Sequence, residues 1–169
     1  MSFAFASSSL LGAHEANFKI FSLANNHTYN MNYSGLDETR LLLGNMGMVG
    51  ISHPIGCTTT DVYATRSLAI FAFNDTYENN CSVEAASEIV LWARQNYATS
   101  FLLVMPHWGE EYELKSNKRQ QEYAHALIDS GADLIVGSHP HVVQEIERYR
   151  DKYIVYSLGN FIFDQYFSK

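Results

Sequence analysis

The chain has 169 residues, 47% of them hydrophobic, and a formal net charge of −7 at pH 7. This length is enough to bury one core, so we expect a single domain over residues 1–169. The acidic balance and the lack of a dense basic stripe argue against a nucleic-acid partner. No segment approaches the length of a membrane span, and residues 1–11 lack the basic start of a secretory signal.

The N-terminal half of the chain predicts alternating helices and strands. The predicted elements are a short helix over 7–16, a strand over 18–24, a helix over 35–45, and strands over 48–52 and 68–73. The helix over 35–45 is expected to begin with Ser34 as its N-cap, with Asp37 closing a capping box, and to end before Gly47. Its buried face is predicted to consist of leucines, namely Leu36, Leu41, Leu42 and Leu43.

The C-terminal half continues the alternation. It predicts a helix capped by Ser82 and running to Tyr97, a strand over 101–105, a helix over 117–130, a strand over 134–136, and an antiparallel pair over 142–150 and 153–158. Strands that alternate with helices are typical of layered architectures. The sequence therefore predicts the α/β class, with a layered mixed β-sheet and flanking helices.

The two cysteines, Cys57 and Cys81, do not form a CxxC motif, so no thiolate metal site is expected. The two thiols can pair in an oxidising compartment, but the sequence favours two free or partly buried thiols. It leaves both an extracellular and a cytosolic location open.

Three of the predicted strands end in histidine-bearing turns. The turns contain Asn25, Asn26 and His27; His107; and Ser138, His139, Pro140 and His141. Ligands of open α/β sheets bind where the carboxyl ends of parallel strands meet, so these imidazoles are expected to gather there as a metal site. His139 and His141 are two residues apart and point to the same side if their segment is extended.

Each histidine turn also has an ordinary structural interpretation. Asn-Asn-His is a good turn composition, His107 fits a satisfied core histidine, and His-Pro-His fits an exposed turn. The remaining histidines, His14, His53 and His125, lack a strand-end context and are assigned no chemistry.

Four motifs in order carry a family resemblance. They are Asn25-Asn-His-Thr28, His107-Trp-Gly-Glu-Glu-Tyr112, Gly137-Ser-His-Pro-His-Val-Val-Gln144 and Tyr156-Ser-Leu-Gly-Asn-Phe-Ile-Phe-Asp-Gln165. From about Phe18 to its end, the chain resembles the CapA capsule-synthesis family. That family is associated with poly-γ-glutamate biosynthesis and belongs to the calcineurin-like metallophosphoesterase superfamily. The resemblance implies an αββα sandwich.

The resemblance also implies roles for the site residues. Asn26, His107 and His139 would hold one divalent metal ion (Mn, Zn or Fe), and His141 would hold a second. His27 would be the catalytic general acid that protonates a leaving oxygen. Such sites stabilise charge on phosphoryl oxygens and activate a water nucleophile.

One part of the family pattern is not found in the chain. The superfamily's first two motifs supply an aspartate ligand and a bridging carboxylate, and nothing before Phe18 resembles either. The expectation is therefore an N-terminally incomplete CapA-like domain with a partial calcineurin-like sandwich. Glu111 and Asp164 are the carboxylates expected to line the site. Missing strands would expose apolar sheet surface, so self-association into a homo-oligomer is also expected.

The resulting functional hypothesis is a metal-dependent hydrolase of capsule or poly-γ-glutamate biosynthesis, acting on phosphoester or related bonds. Its expected partners are an anionic polymer or phosphoester substrate and membrane-associated synthesis machinery, with an extracellular or cell-envelope location by family resemblance. The alternative is a non-catalytic module that binds an anionic polymer or a partner protein. A structural zinc site ranks last, because such sites favour cysteines and closed four-ligand shells.

Overall fold

A computed structural model of the chain describes residues 6–76 and 81–162. The helices are α1 (Ser9–Glu15), α2 (Asn32–Asn45), α3 (Val83–Asn96) and α4 (Lys118–Asp129), with a 3-10 turn at Thr59–Asp61. The strands are β1 (Ile20–Ser22), β2 (Val49–Ile51), β3 (Val62–Ala64), β4 (Leu68–Asn74), β5 (Phe101–His107), β6 (Leu134–Val136), β7 (Ile146–Tyr149) and β8 (Lys152–Val155). Within the described ranges, no helix has the length and apolarity needed to cross a bilayer.

A six-stranded mixed sheet forms the centre of the fold, with the strand order β3-β4-β5-β6-β8-β7. The four inner strands are parallel to one another, whereas both edge strands pair antiparallel. The inner strands are short apolar runs because helices and a second sheet cover their two faces.

The two faces of this sheet pack against different layers. In β4, Phe71 and Phe73 belong to the core that also contains Leu127 of α4 and Val90 of α3. Their neighbours Ile70 and Ala72 belong to a second cluster with residues of β1 and β2. This alternation follows from the two-residue period of a strand, which sends successive side chains to opposite faces.

β1 and β2 form a separate two-stranded parallel sheet. α2 packs on it through a third cluster, in which Leu36 and Leu43 contact Leu23 and Met48. The layers therefore run helix, sheet, sheet, helix. The α/β prediction is confirmed, and the arrangement is consistent with a partial sandwich.

The N-termini of α3 and α2 differ in how well the local sequence predicts them. Ser82 caps α3 by accepting from the Ala85 N–H at 3.2 Å, as predicted. The predicted start of α2 is wrong. That helix begins at Asn32, and Ser34 lies inside it with its hydroxyl donating to the Met31 carbonyl, because the preceding turn leads directly into the helix. Leu41, expected on the buried face, is 64% exposed.

The expectation of free thiols is also wrong, because Cys57 and Cys81 form a disulfide. The bond ties the connection between β2 and β3 to the residue preceding the cap of α3. Cys81 is fully buried, and its carbonyl accepts the Tyr123 hydroxyl. A separation of 24 residues gives no sign of this proximity, which the packing of the connection against α3 creates.

Candidate metal centre

The candidate centre lies at the carboxyl ends of strands from both sheets. β5 ends at His107, and the parallel register of β5 and β6 continues to a bridge between His107 and Ser138. The Asn25–His27 turn follows β1 of the two-stranded sheet. The three predicted histidine turns therefore come from two sheets rather than one.

His107 joins the turns of the two sheets. Its Nε2 lies 3.0 Å from the Asn26 Oδ1, and its Nδ1 lies 3.0 Å from the Ser138 Oγ. Contacts on both ring nitrogens fix the orientation of the imidazole. The sequence analysis did not assign Ser138 a role, although its place in the Gly-Ser-His-Pro-His motif was the available signal.

The turn that carries His27 is held by its own side chains. The Asn25 Oδ1 accepts from the backbone N–H groups of His27 and Thr28, each at 2.9 Å. The His27 Nδ1 lies 3.1 Å from the Asn30 Nδ2. Because an amide nitrogen can only donate, Nδ1 is the acceptor, and a neutral His27 carries its proton on Nε2.

Glu111, His139 and His141 offer three ligand atoms that all lie within 4.8 Å of one another. Across residues 6–76 and 81–162, this is the one group of His, Cys, Asp or Glu side chains with that spacing. The His107 and His139 rings are 4.8 Å apart between centroids, so the cluster continues to His107 and Asn26.

The polar contacts of the two His-Pro-His imidazoles differ. The His139 Nδ1 is buried and has no hydrogen-bond partner in the described part of the chain. The His141 Nδ1 instead lies 2.7 Å from the Asn160 Oδ1, and the Tyr112 ring stacks on its imidazole with centroids 5.9 Å apart. The sequence analysis did not assign Tyr112 or Asn160 a role.

The backbone of the centre adopts left-handed conformations at residues other than glycine. φ is 99° at His139, 62° at His141 and 66° at Tyr112. The His-Pro-His segment is therefore a turn rather than the extended segment in which both side chains would point to the same side. Both rings still reach the cluster, with centroids 6.2 Å apart. Such conformations are costly for residues with a Cβ and are concentrated at functional sites.

The environment keeps two of the imidazoles neutral. Burial, together with positive charge on His139, His141 or His27, lowers the pKa of His107 to about 3. Burial also lowers the pKa of His139, although the nearby Glu111 carboxylate opposes that shift. A neutral imidazole keeps the lone pair with which it binds a metal ion.

These residues fit a divalent ion. The cluster combines imidazole nitrogens, an amide oxygen and a carboxylate oxygen, a set that suits Zn, Mn or Fe. The unpartnered, buried His139 Nδ1 is the strongest single indication of a metal site, because a buried polar atom normally has a hydrogen-bond partner.

Two further carboxylates, Asp61 and Asp75, have different surroundings. Asp61 caps the 3-10 turn by accepting from the Thr58 N–H at 2.7 Å, and Asp75 forms an ion pair with Arg119. Asp164 lies outside the described residues. Of the two carboxylates predicted to line the site, Glu111 lies in the cluster.

Residues 1–165 match the family model described as bacterial capsule synthesis protein PGA_cap. The chain belongs to this family. Its relatives include the PGA biosynthesis protein CapA of Bacillus subtilis, which is 31% identical over 167 residues, covering 89% of this chain and 44% of that protein. The capsule biosynthesis protein CapA of Bacillus anthracis is 32% identical over 170 residues, covering 89% and 41%.

A more distant PGA_cap relative is a probable polyglutamine synthesis accessory protein of Mycobacterium tuberculosis. It is 24% identical over 174 residues, covering 86% of this chain and 45% of that protein. The chain thus spans less than half the length of each of these three relatives.

Proposed function

We propose that this chain provides a histidine-rich, metal-dependent hydrolase site for capsule or poly-γ-glutamate biosynthesis, acting on a phosphoester or related bond. The observation that carries the proposal is the Glu111, His139 and His141 cluster with its unpartnered buried nitrogen. Membership of the PGA_cap family, and relatives named for capsule and PGA biosynthesis, support the biological setting.

The residues that would hold the ions come from the cluster. Asn26, His107 and His139 would form one ligand set, and His141 with Glu111 would contribute to a second. Bound divalent ions would supply Lewis-acid stabilisation of the negative charge that develops on the oxygen of the reacting bond. The neutral His139 ring provides a lone pair without prior loss of a proton. His107 would first move its proton from Nε2, which faces the acceptor Asn26 Oδ1, to Nδ1, where the Ser138 Oγ can accept it.

His27 would donate a proton to the leaving group. The hydrogen bond between its Nδ1 and Asn30 orients the ring and places the available proton on Nε2. Asn25 fixes the turn through two backbone hydrogen bonds, so the imidazole is held by a rigid segment. A general acid must keep this orientation to transfer a proton along a short path.

The partner would be an anionic polymer together with its synthesis machinery. The chain itself carries a net charge of −7, so a metal ion would be needed to bring an anionic group to the histidine cluster. Self-association of the chain stays a prediction.

A location outside the cytoplasm, at the cell envelope, accompanies this function. The Cys57–Cys81 disulfide supports it, because such bonds persist mainly in oxidising compartments. Finding both thiols free after rapid alkylation of intact cells would contradict this location.

Calorimetric titration with Mn²⁺ and Zn²⁺ tests the metal site. His139→Ala should weaken binding by more than about 100-fold, because the loss of a ligand exceeds the 10- to 100-fold cost of losing a residue that only supports one. His14→Ala is the matched control, because it removes an exposed imidazole on α1. Equal affinity of the two variants would contradict ligation by His139.

Hydrolysis assays separate an enzyme from a binding module. Metal-loaded protein would be incubated with bis(p-nitrophenyl) phosphate and with poly-γ-glutamate, with and without a chelator. Chelator-sensitive product formation that His27→Ala reduces is the expected result. Tight metal binding without turnover of either substrate would instead indicate a non-catalytic module.

A further inference from the structure

A cavity of about 590 Å³ opens beside His27. It lies between α1, α2 and the turn after β1, and its volume falls in the range of small-molecule sites. The histidine cluster does not account for it, because none of Glu111, His107, His139 and His141 lines its wall. His27 and Asn25, which holds the His27 turn, both border this cavity.

The floor of the cavity is aliphatic. Leu10, Leu23 and Leu42 line it, and Leu23 is anchored in the cluster that joins α2 to the two-stranded sheet. A floor of this kind favours a ligand with a short hydrocarbon body, because burying apolar surface is favourable.

The charged side chain that lines the cavity determines which polar group a ligand can carry there. Among the residues that the structure describes, Glu38 is the one carboxylate that lines the cavity, and neither lysine nor arginine does. Ser34, Glu38 and Leu42 are four residues apart in α2 and therefore share one helix face. Glu38 forms no ion pair with any residue in the described ranges. An anionic group would be repelled here, whereas a cation would gain a partner.

We propose that this cavity is a binding site for an ammonium-bearing group with a short aliphatic stem, whose charge pairs with Glu38. The hydroxyls of Ser34 and Thr28 line the same wall and can accept further N–H groups.

The position of the cavity suggests a use, which rests on the proposed function of His27. When an amide is hydrolysed, water gives a hydroxyl to the carbonyl carbon and a proton to the departing nitrogen as the C–N bond breaks. The resulting carboxylic acid and amine then ionise to a carboxylate and an ammonium. A site for ammonium beside the proton donor therefore favours an amide among the related bonds, one whose amine fragment carries no carboxylate next to the nitrogen, with that fragment held in the cavity.

Methyl NMR titration of the whole chain tests ammonium binding directly. The two probes are n-butylamine and sodium butyrate, which share a hydrocarbon body and differ in charge, and no metal is added, so that butyrate has no ion to bridge. Butylamine should shift the methyl signals of Leu10 and Leu42 saturably, and butyrate should not. Equal shifts with both probes would overturn the proposal.

Two variants test which carboxylate pairs with the ammonium group. Glu38→Gln should weaken butylamine binding by up to about fivefold, the effect of losing one solvent-accessible ion pair. Glu88→Gln, at an exposed position of α3, should leave the affinity unchanged. Unchanged binding in Glu38→Gln would overturn the assignment to this cavity.

The outcomes for the cavity and the metal centre are distinguishable. His139→Ala should retain butylamine binding while it loses metal affinity, and Glu38→Gln should do the reverse. Loss of metal binding alone would contradict the proposed hydrolase site and leave ammonium binding intact.

Discussion

The two ends of the six-stranded sheet are built in opposite ways. At the amino end, the Asp133 carboxylate accepts from Arg94 at 2.5 Å, from Lys152 at 2.5 Å and from the Leu102 N–H at 2.9 Å. Opposite charges meet there, and every contact satisfies a donor and an acceptor. The carboxyl end instead gathers imidazoles around His139, whose buried Nδ1 lacks a partner in the described ranges.

The backbone at Asp133 and the backbone at His139 show the same contrast, although the hairpin turn that leads into β8 at the amino end also has left-handed φ values at Arg150 and Asp151. Asp133 leads into a regular parallel strand, whereas His139, His141 and Tyr112 all have left-handed φ values. Strain and an unpartnered polar group cost stability, so they persist where surrounding packing compensates for them. The comparison indicates that the amino end holds the sheet together and that the carboxyl end is arranged for a ligand.

The largest effect on stability is expected at the amino end. Asp133→Ala removes three hydrogen bonds, two of them to cations, and should lower the free energy of unfolding by about 2–3 kcal/mol. Urea denaturation measures this change. Metal affinity should stay within a factor of about two, because the substitution lies at the opposite end of the strands. A large loss of metal binding would show that the two ends are not independent.

At Ser138 we expect a smaller effect, which concerns metal affinity rather than the free energy of unfolding. Ser138→Ala removes the hydroxyl that lies 3.0 Å from the His107 Nδ1 and should weaken metal binding by about 10-fold. Because Ser138 is exposed and its hydroxyl otherwise donates to the Pro106 carbonyl at a long 3.4 Å, the free energy of unfolding should change by less than about 1 kcal/mol. An unchanged metal affinity would remove His107 from the proposed ligand set.

The smallest expected effect is the pH dependence of the stability that Asp133 contributes at the amino end of the sheet. Burial tends to raise the pKa of Asp133, but the Leu102 N–H, Lys152 and Arg94 together lower it below the ordinary value of 3.8. The carboxylate therefore stabilises the folded chain fully above its unfolded pKa, and this contribution is lost as the pH falls through the folded pKa. The stability difference between the wild-type protein and Asp133→Ala should be constant from about pH 7 to 5 and shrink below pH 3.8. A constant difference down to pH 2 would contradict this linkage.

Continuous or local signals made several elements predictable. The strand over 134–136 was predicted with the bounds that the structure has, because a short apolar run between glycines has few alternatives. The cap of α3 at Ser82 depends on residues three positions apart and was predicted as well. The meeting of His107 with the His-Pro-His turn followed from the rule that the carboxyl ends of parallel strands in one sheet meet. The His27 turn follows a strand of the second sheet, and this rule does not place it.

The errors arose where distant parts of the chain determine the outcome. The Cys57–Cys81 bond depends on how the connection between β2 and β3 packs against α3. The sequence gives no sign of the positive φ at His139, because the residue is not a glycine. Glu111 was expected to line the site, but its place beside the two His-Pro-His imidazoles depends on the turn after the buried Trp108.

Anomalous X-ray diffraction from crystals of this chain grown with Zn²⁺ tests the central claim most directly. The account predicts a zinc peak within about 2.0–2.2 Å of a nitrogen of His139 and of a ligand atom of His141 or Glu111. Zinc peaks only at histidines outside the cluster, such as His14 or His53, with none at His139, would contradict it.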